Sequence, residues 1–173
     1  MKRQLTAFWL IPAKPERELF GEIIRILAKE LKAPIFEPHL TLFATGIAST
    51  RAKQILKEVA AMPLRLSIRD VQCSPEFTRT LFVRFRPNAA LRQFVREMQE
   101  RADQPQMKIC EPHVSLCYKE LPAGVRKELA STIRLPLRQV LFDSMKAVRC
   151  ASPTRTGAAV KAWRAIARKK LAG

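Results

Sequence analysis

The sequence is poor in histidine, cysteine, acidic residues and long apolar runs, and each shortage excludes something. No apolar run approaches the roughly 20 residues that span a bilayer, so no membrane-spanning segment is expected. The opening, MKRQLTAFWLIPAKPE, imitates a signal peptide with two basic residues and an apolar run. That run, Leu5 to Ala13, is barely long enough, and no small-x-small cleavage site follows before the acidic residues; a first β-strand fits it better. Four cysteines, Cys73, Cys110, Cys117 and Cys150, are too few and too scattered for a disulfide framework. They are expected to be reduced thiols in a cytoplasmic setting, packed as small buried apolar groups. No Gly/Ser-rich linker or low-complexity segment divides the 173 residues, which reads as a single folding unit over 1–173. Asp and Glu number 15 against 32 Lys and Arg, a net charge of +17. A surface of that sign attracts polyanions, nucleic acid first and anionic membrane second. The excess is spread along the chain, so no segment stands out as a basic tail with a separate task.

There are only two histidines, and both occur in one repeated phrase: Glu-Pro-His-Leu-Thr-Leu at 37–42 and Glu-Pro-His-Val-Ser-Leu at 111–116. The copies lie 74 residues apart. In each, a small hydroxyl residue follows the histidine by two positions. A lone His beside a Thr on a strand is usually structural. Two His, two hydroxyls, two prolines and two downstream leucines in step point instead to a pair that works together.

The surrounding pattern repeats as well. Residues 4–11 are largely apolar and end at Pro12, a strand signature. Phe20, Ile23, Ile24, Leu27 and Leu31 then form one helical stripe, with Pro15, Glu16 and Glu18 suited to its first turn. A strand is expected over 38–44, a helix capped by Ser49 or Thr50 and carrying Ala52, Ile55, Leu56 and Val59, and a strand through Leu64, Leu66 and Ile68. The order recurs: a strand from Leu81 to Phe85, offset by 74 from Ala7 to Ile11, then a helix capped by Asn88 with Leu91, Phe94, Val95 and Met98. The second motif strand spans 112–118, Val125, Leu129 and Ile133 mark a further helix, and a strand runs from about Leu137 to Val148. Residues 151–158 read as a loop before a last strand at about Val160 to Ala167 and a basic tail, Arg168-Lys169-Lys170; an Ala-rich helix fits those last strand residues too. The fold class is therefore α+β: a bilobal pseudo-two-fold repeat with units at about 4–72 and 78–149 and a terminal strand at about 159–168. Two mostly antiparallel sheets with outer helices would flank a central groove.

Strand side chains alternate faces. Strict alternation puts His39, Thr41 and Phe43 on one face with Leu40 and Leu42 on the other. On the second strand it puts His113, Ser115 and Cys117 together, with Val114 and Leu116 inward. Two such faces across a groove suit phosphodiester hydrolysis. One neutral imidazole takes a proton from water while a protonated one gives a proton to the leaving oxygen. The hydroxyls can donate hydrogen bonds to the non-bridging oxygens as charge builds there. Neither a metal nor a covalent nucleophile is required.

The phrases His39-Leu-Thr41-Leu and His113-Val-Ser115-Leu resemble the paired H-x-[ST] motifs of the 2H phosphoesterase superfamily, and within it the cyclic phosphodiesterase branch. The resemblance runs over nearly the whole chain, including the opening strand Phe8-Trp9-Leu10-Ile11-Pro12 and Tyr118 three residues past Ser115. It implies a bilobal fold with the active site between lobes. It implies hydrolysis of 2′,3′-cyclic phosphates, or of ADP-ribose 1″,2″-cyclic phosphate, to a monoester, typically left on the 2′ oxygen. His39 and His113 would be the acid/base pair, and Thr41 and Ser115 the phosphate binders. Trp9 and Tyr118 would line the groove; strict alternation sets Tyr118 opposite His113, so the strand must end or bulge before it. Phe77-Thr78-Arg79-Thr80 stands where an aromatic-rich stretch is expected, and Arg79 offers a guanidinium for phosphate in its place. No cofactor is implied. The expected partners are a cyclic nucleotide phosphate and RNA, with no membrane, and the chain is expected to be a monomer.

Three other readings compete. An RNA-end 2′,3′-cyclic phosphodiesterase or 2′–5′ RNA ligase would use the positive charge on a longer substrate. A non-catalytic RNA-binding protein would use Arg65, Arg69, Arg84, Arg86, Arg92 and Arg96 and leave both histidines idle. A zinc site from Cys110, His113, Cys117 and His39 lacks any C-x2-C pair and leaves the Thr/Ser repetition unexplained.

Overall fold

The computed structural model describes residues 3–172. Its elements run β1 (Arg3–Pro12), α1 (Glu16–Leu31), β2 (Leu40–Thr45), α2 (Ser49–Glu58), β3 (Leu64–Cys73), β4 (Leu81–Phe85), α3 (Ala89–Arg101), β5 (His113–Cys117), α4 (Ala123–Thr132), β6 (Gln139–Ser152), α5 (Gly157–Lys161) and β7 (Arg164–Lys170). A 3-10 turn, Phe77–Arg79, precedes β4. The fold is α+β, as expected. The seven strands pair antiparallel in the order β1-β2-β5-β4-β3-β6-β7, and a further β1–β6 pairing closes the set on itself.

The two-fold repeat is visible in the pairing. β2 meets β5 at Leu40 and Val114, and β3 meets β6 with Leu66 opposite Val140. Each pair joins residues 74 apart, so the pseudo-two-fold axis passes through both. All four side chains are at most 1% exposed. Helices α2 and α4 start and end at the same offset. The halves are not separate sheets, because each gives its last strand to the other: β3 pairs with β4, and β6 pairs along its length with β1. One apolar core therefore joins Phe8, Phe20 and Phe43 of the first half to Phe85, Phe94 and Phe142 of the second.

The opening strands of the two units are related by 73 residues rather than 74. Leu10 faces Leu40 as Val83 faces Val114, and Trp9 faces Thr41 as Phe82 faces Ser115. The second unit has one residue more between its first strand and its motif strand, so the counterpart of Trp9 is Phe82.

Local chemistry explains most element boundaries. The α1 stripe buries Phe20, Ile24 and Leu27, with Glu16 and Glu18 in the first turn. Asn88 caps α3, its side chain accepting from the Leu91 amide at 2.9 Å. Neither Ser49 nor Thr50 caps α2; the helix already starts at Ser49, and Ala48 holds the cap position without a side-chain bond. No residue of α4 is fully buried: Val125 is exposed, Leu129 is half-buried and Ile133 falls just past the end. The segment expected as loop and then strand divides differently. Thr156 accepts from the Ala159 amide and starts the short α5, and the last strand follows at 164–170, taking in the basic residues expected as a tail.

The cysteines are all free, and only Cys117 is fully buried. Burial pushes its thiol pKa up to about 11. Cys73 and Cys150 are half-buried and Cys110 is exposed, because Cys110 lies in the open connection before β5 rather than on a strand. No helix among the described residues is long and apolar enough to cross a membrane.

Candidate active site

Both motif strands carry a bulge at the same place. Along β1, Phe8 faces Phe43 and the next residue, Trp9, faces Thr41, so Leu42 is the extra residue of β2. Along β4, Leu81 faces Cys117 and Phe82 faces Ser115, so Leu116 is the extra residue of β5. A bulge inverts the alternation beyond it. Phe43 and Cys117, expected on the groove face, turn into the core instead. Ala44 and Tyr118, the next residues, face the groove with His39 and Thr41. The bulge at Leu116 thus supplies the change of face that Tyr118 needs to sit near His39.

The Glu-Pro-His phrase has a role in each half that its spacing does not reveal. His39 Nδ1 lies 2.6 Å from the carbonyl oxygen of Glu37, and His113 Nδ1 lies 2.9 Å from that of Glu111. A carbonyl only accepts, so Nδ1 carries the proton in both rings, and Nε2 of each neutral ring is left with its lone pair. The register through Leu40 and Val114 places His39 level with Ser115 and His113 level with Thr41. Each imidazole is thereby set beside the other motif's hydroxyl, and the two rings are diagonal neighbours with Cα atoms roughly 7–8 Å apart in a regular ladder.

His39 is enclosed by aromatic rings. Trp9 stacks on it with centroids 3.7 Å apart and planes 14° from parallel. Trp163 and Phe36 present their edges at 5.8 and 6.2 Å. Tyr118, stacked on Phe36 at 3.8 Å, holds its hydroxyl 3.5 Å from His39 Nε2. This desolvation lowers the His39 pKa to about 4, against the raising effect of the Glu37 carbonyl; positive charge on His113 and Lys146 lowers it further. Burial pushes the Tyr118 phenol well above its ordinary value, so it is a neutral hydrogen-bonding group. Lys146, itself 7% exposed, pairs with the Glu37 carboxylate and fixes the residue whose carbonyl orients His39.

His113 sits in a more polar place. Phe82 meets it edge-on at 5.5 Å. Desolvation lowers its pKa and the Arg79 charge adds to this, while the Glu111 carbonyl and the carboxylates of Glu111 and Glu76 act the other way. Arg79 lies over the Phe82 ring, 4.5 Å from its centroid, and bonds the Glu111 carboxylate at 3.4 Å. Arg84 bridges Glu111 at 3.2 Å and Asp70 in a two-pronged pair at 2.5 and 2.7 Å. Glu111 is therefore held by cations, as Glu37 is by Lys146. The Ser115 hydroxyl donates to the Thr78 carbonyl at 2.7 Å and is turned toward the 77–79 turn.

The adjoining cleft, about 620 Å³, is lined by His39, Thr41, Trp9, Tyr118 and Trp163 and bounded by the 75–78 segment and the Ser152–Arg155 turn. His113, Ser115 and Arg79 are not in its lining; they form a cluster around the 77–79 turn. Of the sequence-predicted residues, the structure thus gathers His39, Thr41, Trp9 and Tyr118 on one wall, and places His113, Ser115 and Arg79 next to it. Phe36, Lys146 and Trp163 escaped the sequence reading. Lys146 and Trp163 reach the site from distant segments, while Phe36 lies just before the first motif; the one available signal for the distant pair was that Trp163 is the second of only two tryptophans. Cys117 faces the core, away from His113, and among the described residues no three His, Cys, Asp or Glu side chains are grouped to hold a metal ion.

No protein-family model matches the chain, and no curated protein matches it significantly. Solved structures do match over essentially full length. A structure described as a phosphoesterase superposes with a TM-score of 0.64 at 14% identity, covering 98% of this chain and 99% of the other. The chain thus shares its fold with that protein. Escherichia coli LigT, in its apo form, has a TM-score of 0.61 at 16% identity, with 100% of both chains covered. A Thermus thermophilus protein gives 0.58 at 16%, covering 99% and 98%. What is shared at these identities is the fold.

Proposed function

We propose that this chain is a metal-independent phosphodiesterase that opens a cyclic nucleotide phosphate, a 2′,3′-cyclic phosphate or ADP-ribose 1″,2″-cyclic phosphate, to a phosphomonoester. The observation that carries the reading is the matched pair of imidazoles. Each is held in one tautomer by its own Glu carbonyl and set beside the hydroxyl of the opposite motif. LigT, with which the chain shares its fold, has been crystallised with phosphate and with 3′-AMP, ligands of the chemistry proposed here.

His39, neutral well below pH 7 and with Nε2 unprotonated, suits the base. It takes a proton from water as the water oxygen bonds to phosphorus. His113, half-buried where His39 is buried, is assigned the acid: burial and the Arg79 charge lower its pKa, and the negative charge of a bound phosphate opposes that lowering. It is charged on binding the anionic substrate and gives its proton to the ribose oxygen as the P–O bond breaks. Thr41 and Ser115 donate to the non-bridging oxygens, for which Ser115 gives up its bond to Thr78. Trp9, Tyr118 and Trp163 supply the apolar walls for ribose or base. Arg79 adds positive charge beside His113.

The test is hydrolysis of nucleoside 2′,3′-cyclic phosphates, with EDTA present, by the native chain and by His39→Ala and His113→Ala. Each variant should lose at least about 10²-fold in kcat, the usual share of a positioned acid or base. Full activity in either variant would overturn the two-His mechanism, and activity lost to EDTA and restored by zinc would overturn its metal independence.

A further inference from the structure

Behind the Tyr118–Phe77 wall of the cleft lies a second cavity of about 480 Å³. The two rings line both spaces, but the charges differ. The catalytic cleft carries Glu76, Glu120 and Arg155. The second cavity carries Lys32, Lys119 and Lys161 and no carboxylate. Among the described residues none of the three is in an ion pair. Lys119 Nζ has one contact, donating to the Lys32 carbonyl at 3.4 Å.

A chain of charge +17 leaves many cations unpaired. These three are set apart by converging on one concave surface against a wall of the catalytic cleft. Like charges drawn together in a cavity repel one another, and an anion between them reverses the sign of that interaction. Ile35, 63% exposed on the rim, adds apolar surface. Tyr118 spans the interval: its hydroxyl is at His39 and its ring is at the lysines. The lysine cavity thus adjoins the cleft along Phe77 and Tyr118, and a substrate cleaved at His39 would reach it by extending past those two rings.

We infer that this cavity is a phosphate subsite for a second, uncleaved phosphate of the same substrate. The inference rests on the cyclic-phosphate reading above. The second phosphate belongs either to the 5′ position of the same nucleoside or to the internucleotide link of an RNA end; both present the same dianionic or monoanionic oxygens to the lysines.

The experiment compares three substrates: uridine 2′,3′-cyclic phosphate, its 5′-phosphorylated form, and a diuridylate ending in a 2′,3′-cyclic phosphate. Each is assayed with the native chain and with the double variant Lys119→Ala/Lys161→Ala. A second phosphate should lower KM about tenfold, the product of two modest exposed charge contacts, and the gain should shrink with added salt. In the double variant the gain should vanish, while KM and kcat for plain uridine 2′,3′-cyclic phosphate stay within about twofold, which also shows the variant folded. A gain confined to the 5′-phosphorylated substrate assigns the site to the terminal phosphate; a gain confined to the diuridylate assigns it to the internucleotide one. Equal KM for all three, or a gain that survives in the double variant, overturns the subsite and leaves the cyclic-phosphate reading standing. If no cyclic phosphate is turned over, that reading falls and the subsite falls with it.

Discussion

Trp9 lies flat on His39, and its effect on that ring is electrostatic as much as steric. It is one of the groups that keep water from the imidazole and so hold its pKa near 4. Trp9→Leu opens one face of the ring to solvent. The His39 pKa should then rise toward the ordinary 6.5, measured by NMR titration of the imidazole protons, and the acid limb of the pH–rate profile should move up with it. An unmoved His39 titration would show that the stack contributes nothing to desolvation. At this scale the sequence was most informative where a residue's role is written in its own neighbours: His39, Thr41, His113 and Ser115 share one local phrase. It was silent on Phe36, Lys146 and Trp163. Lys146 and Trp163 meet Glu37 and His39 only through tertiary packing, across 124 positions for the His39–Trp163 edge, and Phe36, though only three residues before His39, belongs to no periodic pattern that would mark it.

At the scale of elements, the bulges at Leu42 and Leu116 decide which side chains face the cleft. Only the one before Tyr118 was foreshadowed, by the role the family resemblance gives that residue, and patterning alone shows neither. Leu42-Phe43-Ala44 and Leu116-Cys117-Tyr118 are apolar on both sides of the inversion, so hydrophobic patterning does not distinguish a bulged strand from a regular one. Leu116 is the extra residue, so deleting it should remove the bulge while leaving Cys117 toward the core and Tyr118 toward the groove. The deletion takes a fully buried side chain from the core, so the melting temperature should fall while activity persists in the folded variant, whereas the volume-conserving Leu116→Met should cost less than about 1.5 kcal/mol; thermal denaturation and the cyclic phosphate assay measure both. A deletion variant that folds but is inactive would show that the bulge shapes the site beyond the face it gives Tyr118. The helices were legible where the apolar stripe is strong, as in α1 and α3. The weakly buried α4 was legible too, from the spacing of Val125, Leu129 and Ile133, whereas the short α5 was not, since five residues carry no patterned face.

At the scale of the whole molecule, burying a neutral His39 couples folding to acidity. Its folded pKa, about 4, is below the unfolded value of 6.5, so the unfolded chain binds the extra proton between those values. The contribution to stability is complete above pH 6.5 and is lost as pH falls toward 4, by about 3 kcal/mol. His113 acts in the same direction. Urea denaturation at pH 7 and pH 4.5 should show the loss, and His39→Gln should reduce it; an equal loss in the variant would place the acid sensitivity elsewhere. The α+β repeat itself was readable because a nearly constant offset, 74 residues except for 73 in the opening strands, aligns whole elements. The strand exchange between halves was not, because pairing partners are chosen by three-dimensional closure rather than by any local signal.

The two pairs on the pseudo-two-fold axis, Leu40 with Val114 and Leu66 with Val140, each join a residue to its own counterpart. That is the geometry of an isologous homodimer contact drawn within one polypeptide. A half-length chain ending after β3 would carry both surfaces such a dimer needs, with its last strand crossing to the other subunit. Joining the two copies covalently fixes them at one to one and frees them from identity. One imidazole has come to rest under a tryptophan and the other beside a phenylalanine among arginines, an asymmetry that two identical subunits could not hold.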